Sequence, residues 1–306
     1  MIIPAKIFKE ISTMCRAFLW SGQASLAGTG RLSWDYVCQS KKAGGLGFKN
    51  STDWNIAAMG KYVWAVVEKK DNLWVKWVHH VYIKQEDWWN YSAPVYSSWY
   101  WRKIDEVKRK FKSLIARLQV HKEEYRISIG YSYIHPSLDK VHWSKEVWGR
   151  LNTPKHSFIF WLAVHNRLNT KDRLKRHGVL DQSECLFYGV VEESCEHLFF
   201  NCQFSLSCYH QILQWLNWRT HLSSLSKIIR WIERASNTKF HKQVFSAAIA
   251  ALLYQIWKAR NDALWLGKIM QPYLIVQNTK VSVKNRISYI LPKKISQRDR
   301  DWFGVL

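Results

Sequence analysis

Residues 185–202 read Cys185-Leu186-Phe187-Tyr188-Gly189-Val190-Val191-Glu192-Glu193-Ser194-Cys195-Glu196-His197-Leu198-Phe199-Phe200-Asn201-Cys202. With cysteine at 188 the spacing would be C-x2-C-x8-H-x4-C, a Cys₃His zinc knuckle. In that design a tight turn ending in glycine gathers two thiolates, and the following helix presents the histidine and the last cysteine. A closed tetrahedral site needs four donors. Cys185, His197 and Cys202 stand at three of the positions. Tyr188 occupies the fourth, and its phenol ionises only near ~10. Cys195 is the nearest substitute donor, at a different spacing.

Around this loop the chain reads as helix. Residues 5–20 place Ile7, Phe8, Ile11, Met14, Phe18 and Leu19 at helical spacing, with Pro4 at the start. Residues 51–68 form a second helix with Asp53 as a candidate cap, and Asp71 can cap a third. A basic helix covers about 100–118. Residues 124–134 alternate and predict a short β segment. An apolar helix runs from 154 to 168, and Thr170 caps a short basic helix that Gly178 ends. Further helices cover 225–235 and 238–266, and the basic tail after 276 is half helical. The expected class is mainly α, with a knuckle-like loop and a short β segment embedded in a helical domain.

Composition adds a second constraint. The chain has 306 residues, 19 of them tryptophan, and a formal charge of +23. Apolar residues make up 47%, so this is not a disordered basic tail. The excess is spread over both halves. An exception is 181–202, with five acids and no Lys or Arg. Such a surplus of cations implies a polyanionic partner. Arg167, Lys171, Arg173, Lys175 and Arg176 are the candidate phosphate contacts near the knuckle. Lys108, Arg109, Lys110 and Lys112 are those on the basic helix. Trp88, Trp89, Trp99 and Trp101 lie in an irregular stretch beside that helix and are the candidate base-stacking rings, while most other aromatics belong in the core. Pro4 and Lys6 interrupt any secretory leader. The apolar run Val244–Trp257 is too short to span a bilayer. Four cysteines within 24 residues suit a metal better than disulfides, so a reducing intracellular location, nucleus or cytoplasm, is expected, with no membrane partner.

The sequence resembles the plant reverse transcriptase zinc-binding domain family, found at the C-terminal end of LINE-type non-LTR retrotransposon polyproteins. The resemblance rests on Pro154-Lys155-His156-Ser157-Phe158-Ile159-Phe160-Trp161-Leu162-Ala163-Val164-His165-Asn166-Arg167-Leu168, on Thr170-Lys171-Asp172-Arg173-Leu174, and on His197-Leu198-Phe199-Phe200-Asn201-Cys202. Upstream, Cys15-Arg16-Ala17-Phe18-Leu19-Trp20 and Lys42-Ala43-Gly44-Gly45-Leu46-Gly47 are similar to the connector that follows a polymerase thumb. The resemblance implies a post-thumb connector over 1–60 and a Trp-rich basic connector over 61–129. It then implies a zinc-binding-like domain over 130–220 and a basic helical region over 221–306. It carries the family's zinc ligands onto Cys185, His197 and Cys202, giving a degenerate zinc site.

Polymerase chemistry needs paired aspartates to hold two cations, and nuclease or ribonuclease H chemistry needs clustered carboxylates. No Asp-Asp pair occurs in this chain. The expectation is therefore a non-catalytic fragment that binds RNA or DNA, with a reverse transcriptase core supplied in trans. The alternatives are a protein-interaction scaffold and a non-functional retrotransposon relic.

Overall fold

A computed structural model describes residues 3–23, 30–218, 223–291 and 294–306. Its contacts divide the chain into two units, Met1–Lys140 and Val141–Leu306.

The first unit contains α1 (Ala5–Ser21), α2 (Trp34–Cys38), α3 (Ser51–Val67), α4 (Leu73–Val78), α5 (Trp99–Val120) and α6 (Ile127–Ile134). Asn50 caps α3, accepting from the Thr52 and Asp53 amides, and Asn72 caps α4. Each lies one or three residues from the aspartate expected to cap, because the first free amide sits just downstream of the asparagine. The core is Met59, Val63, Val78, Ile83, Trp101, Ile104, Phe111, Leu114 and Leu118, gathered between α3, α5 and the segment after α4.

The expected strand over 124–134 is a helix, α6, from Ile127 to Ile134. The alternation Ile-Ser-Ile-Gly-Tyr-Ser-Tyr-Ile fits both periods. The shielded residues include 127, 130, 131 and 134, which is the i, i+3, i+4, i+7 face of a helix. Packing against α3 decides between the periods. Among the described residues the only β pairing outside helices is an isolated bridge, Glu184 to Glu192.

Tyr125 explains two glycines. Its hydroxyl donates to the Ala57 carbonyl at 2.6 Å. A Cβ on Gly60 would sit 2.3 Å from that hydroxyl oxygen, and one on Gly130 would sit 1.9 Å from it. Alanine in mid-helix normally gains about 1 kcal/mol over glycine. Here the overlap is with a buried, hydrogen-bonded ring that cannot swing away, and overpacking costs about 1–3 kcal/mol. Gly60→Ala is therefore expected to lower the urea midpoint of unfolding rather than raise it.

The second unit contains α7 (Ser144–Val147), α8 (Pro154–Val164), α9 (Lys171–Arg176), α10 (Gln203–Trp215), α11 (Leu225–Arg234), α12 (Lys239–Leu266), α13 (Pro272–Tyr289) and α14 (Gln297–Val305). α12 is buried continuously from Val244 to Leu253, and α8, α10, α11 and α13 pack against it. A helix apolar on all sides needs such a sheath. Glu146 of α7 is also buried, and burial raises its carboxyl above the usual range. No described helix is long and apolar enough to cross a membrane.

Candidate metal centre

The loop between α9 and α10 is built by local hydrogen bonds. The Cys185 amide donates to the Val191 carbonyl at 2.8 Å, and the Glu193 amide donates to Ser183 at 2.7 Å. These close a small hairpin. The turn at its tip returns the Gly189 amide to the Cys185 carbonyl at 2.7 Å, with Gly189 at a φ of 76°. Phe187 stacks on Phe204 of α10, with centroids 4.0 Å apart, and pins the hairpin to that helix.

His197 and Cys202 are brought together by a π turn over His197–Asn201, in which the Cys202 amide donates to the His197 carbonyl at 2.8 Å. In an α-helix, residues five apart point about 140° away from one another. The wider i to i+5 turn restores them to one side. Leu198 and Phe199 within the turn are fully buried, and the Ser194 hydroxyl accepts from the His197 amide at 3.0 Å.

The result is a buried group of three donors. One ligand atom each from Cys185, His197 and Cys202 lies within 4.8 Å of the others. The two sulfurs are 3.8 Å apart. Two ~2.3 Å zinc–sulfur bonds at a tetrahedral angle would separate sulfurs by about 3.8 Å. His197 Nε2 is buried with no hydrogen-bond partner, an arrangement that is costly unless something accepts its lone pair or proton. These residues fit zinc at three of its four corners. A bound zinc ion would supply folding energy and local rigidity here.

The thiols are already polarised toward that role. A hydrogen bond from Cys185 lowers the Cys202 thiol below the ordinary range, helped by the Ser205 and Phe204 amides at the start of α10. The same sharing, with burial, drives Cys185 upward. One thiolate is thus favoured and the other proton is retained.

Tyr188 is 51% exposed on the turn at the hairpin tip. Cys195 is buried but lies outside the group, and burial, followed by Asp172, pushes its thiol up to about 12. The fourth corner therefore has no thiol in place.

The acidic loop holds a residue that sequence reasoning missed. Glu193 is fully buried, and its Oε1 accepts from Arg260 Nε at 2.8 Å and from the Lys171 amide at 2.9 Å. Arg260 Nη2 lies 2.6 Å from the same oxygen, and Arg260 is also buried. Its guanidinium lies over the Trp257 ring, 5.0 Å from the centroid. One carboxylate thereby ties the metal loop to α9 and α12. Proximity in sequence carries no trace of it, since Glu193 and Arg260 are 67 residues apart.

The candidate phosphate contacts divide. Lys171 is buried, at the first turn of α9. Lys108 is buried as well: its ammonium lies 2.7 Å from Asp105, donates to the Trp88 and Tyr91 carbonyls, and sits 4.6 Å from the Trp88 ring centroid. Neither presents a charge to a partner. Arg176 pairs with Asp172 at 2.7 Å, and Arg173 donates to the Asn166 carbonyl. Arg167, Lys175, Lys110 and Lys112 are exposed, and Arg109, exposed too, lies 3.7 Å from Asp105. Among the expected stacking rings, Trp88 and Trp101 are core, with Trp101 Nε1 donating to the Tyr91 hydroxyl at 2.9 Å. Trp89 is half-buried and packs against that core, and Trp99 is 46% exposed.

Comparison with known proteins places this geometry. Residues 125–209 match the family described as zinc-binding in reverse transcriptase. A protein of Arabidopsis thaliana described as a "Putative ribonuclease H protein" is 31% identical over 74 residues. That alignment covers 24% of this chain and 12% of the relative's own length. No solved structure matches. Both findings are consistent with a retrotransposon-derived protein carrying a reverse transcriptase zinc-binding region.

Proposed function

We propose that this chain is a non-catalytic, nucleic-acid-binding C-terminal portion of a LINE-type reverse transcriptase, with a three-ligand zinc site at Cys185, His197 and Cys202. The observation that carries the reading is the buried donor trio, with its 3.8 Å sulfur separation and its unpartnered imidazole nitrogen. The match over residues 125–209 supports it. The metal serves as a staple for the loop between α9 and α10. Template RNA or target DNA is held by exposed Lys and Arg, through contacts that do not depend on sequence. The polymerase is supplied elsewhere, since the chain has no paired aspartates.

The test is to complete the site. A four-ligand structural zinc site contributes about 10–16 kcal/mol, so a single donor is worth a few kcal/mol. Tyr188→Cys is expected to raise zinc affinity about 100-fold or more, by competition with a chromophoric chelator. Equal affinity in the two forms would overturn the degenerate-site reading.

A further inference from the structure

A second charged feature lies at the far end of the same unit. Arg150, Lys239, Gln243, Lys294 and Ser296, together with Asp299, line a groove of about 380 Å³. Arg150, Lys239 and Lys294 are exposed, and among the described residues none of the three is in an ion pair. The groove lies where α12 and α14 begin. α12 has 28 residues and no acid of its own in its first turn; the carboxylate beside its positive end is Asp299 of α14. One carboxylate, Asp299, leaves the three exposed cations in excess. It is buried, and its Oδ1 is turned inward to the Thr238 hydroxyl at 2.9 Å and to His241 Nδ1 at 3.2 Å.

The charge continues beyond the groove. Arg286 of α13 donates to the Arg150 carbonyl at 3.4 Å, so its guanidinium sits beside the groove. From residue 263 to 298 the chain holds seven Lys and Arg and no acid. A groove for a single small anion would not need Arg286 beside its three lining cations. A chain of phosphates would.

We propose that this groove and the adjoining end of α13 dock the phosphate backbone of nucleic acid, with Arg150, Lys239 and Lys294 as direct contacts. The inference rests on the nucleic-acid-binding reading but not on the metal centre. It moves the expected contact surface away from Arg167, Arg173 and Arg176.

The test measures binding of a labelled single-stranded RNA oligonucleotide by the full chain across a salt series. The parent is expected to bind, with affinity falling as salt rises. Arg150→Gln/Lys239→Gln/Lys294→Gln is expected to lose tenfold or more, with a salt slope shallower by about 2. Gln243→Glu, which puts a negative charge in the groove and removes none of the cations, is expected to weaken binding in the same direction. Lys61→Gln/Lys69→Gln/Lys84→Gln, matched in charge but in the first unit, is expected to bind like the parent. The proposal is overturned if both groove variants bind like the parent, or if the control loses as much as the triple. No binding by the parent would overturn the nucleic-acid reading itself.

Discussion

Arg260→Met should destabilise the second unit by about 3–5 kcal/mol, the cost of leaving a buried charge without its partner. Glu193 has no route to water, being 0% exposed. Without Arg260 its Oε1 keeps only the Lys171 amide. The informative comparison is with Glu193→Gln/Arg260→Met. There the charge is gone from both sides, the Lys171 amide still has an acceptor, and methionine fills much of the arginine stem's space. Most of the lost stability should return, because a buried ion pair is often worth little more than its apolar replacement. Chemical denaturation of parent, both single variants and the double variant gives the coupling energy directly. Additive effects would mean that the two side chains do not depend on one another.

The second large effect concerns the metal. Cys202→Ser should abolish stoichiometric zinc binding, since a two-donor remnant cannot hold the ion against solvent. In the parent, zinc affinity should fall with acid, and the slope should steepen. Zinc takes both sulfurs as thiolates. The Cys202 thiol is lowered by the Cys185 hydrogen bond, and Cys185 is raised. At a pH above the lowered value, binding displaces the Cys185 proton alone, so the two thiols contribute one decade of affinity per pH unit. As the pH falls through the Cys202 value, a second proton must leave and their contribution approaches two decades. Metal competition assays at stepped pH read this. A constant slope would show that the thiols do not share a proton.

How much of this was legible in the sequence depends on the range of the interaction. α1, α3, α5, α11 and α12 follow from local periodicity; in the structure Gly22 and Gly267, in left-handed conformation, end α1 and α12. The donor trio was legible because the knuckle encodes its geometry in spacing. What was lost needs a distant partner to decide it. Residues 127–134 carry two periods, and only the packing on α3 selects one. Lys108 looks like its neighbours Arg109 and Lys110, yet it is the cation that falls on the buried face with Ile104 and Ile115. Glu193 looks like one acid of five, until Arg260 on α12 claims it.

The partition of acids between interior and exterior has a consequence for how the molecule meets dissolved ions. Among the described residues, Asp105, Glu146, Glu193 and Asp299 are buried, against Lys108, Lys171 and Arg260. Burial therefore withdraws slightly more negative charge than positive, and the surplus counted in the sequence stays on the outside. Such a surface gathers an atmosphere of small anions from any buffer. A docking polyanion competes with that atmosphere as well as with water. The choice of buffer anion, phosphate or sulfate as against chloride, should then set how strongly the chain holds any nucleic acid.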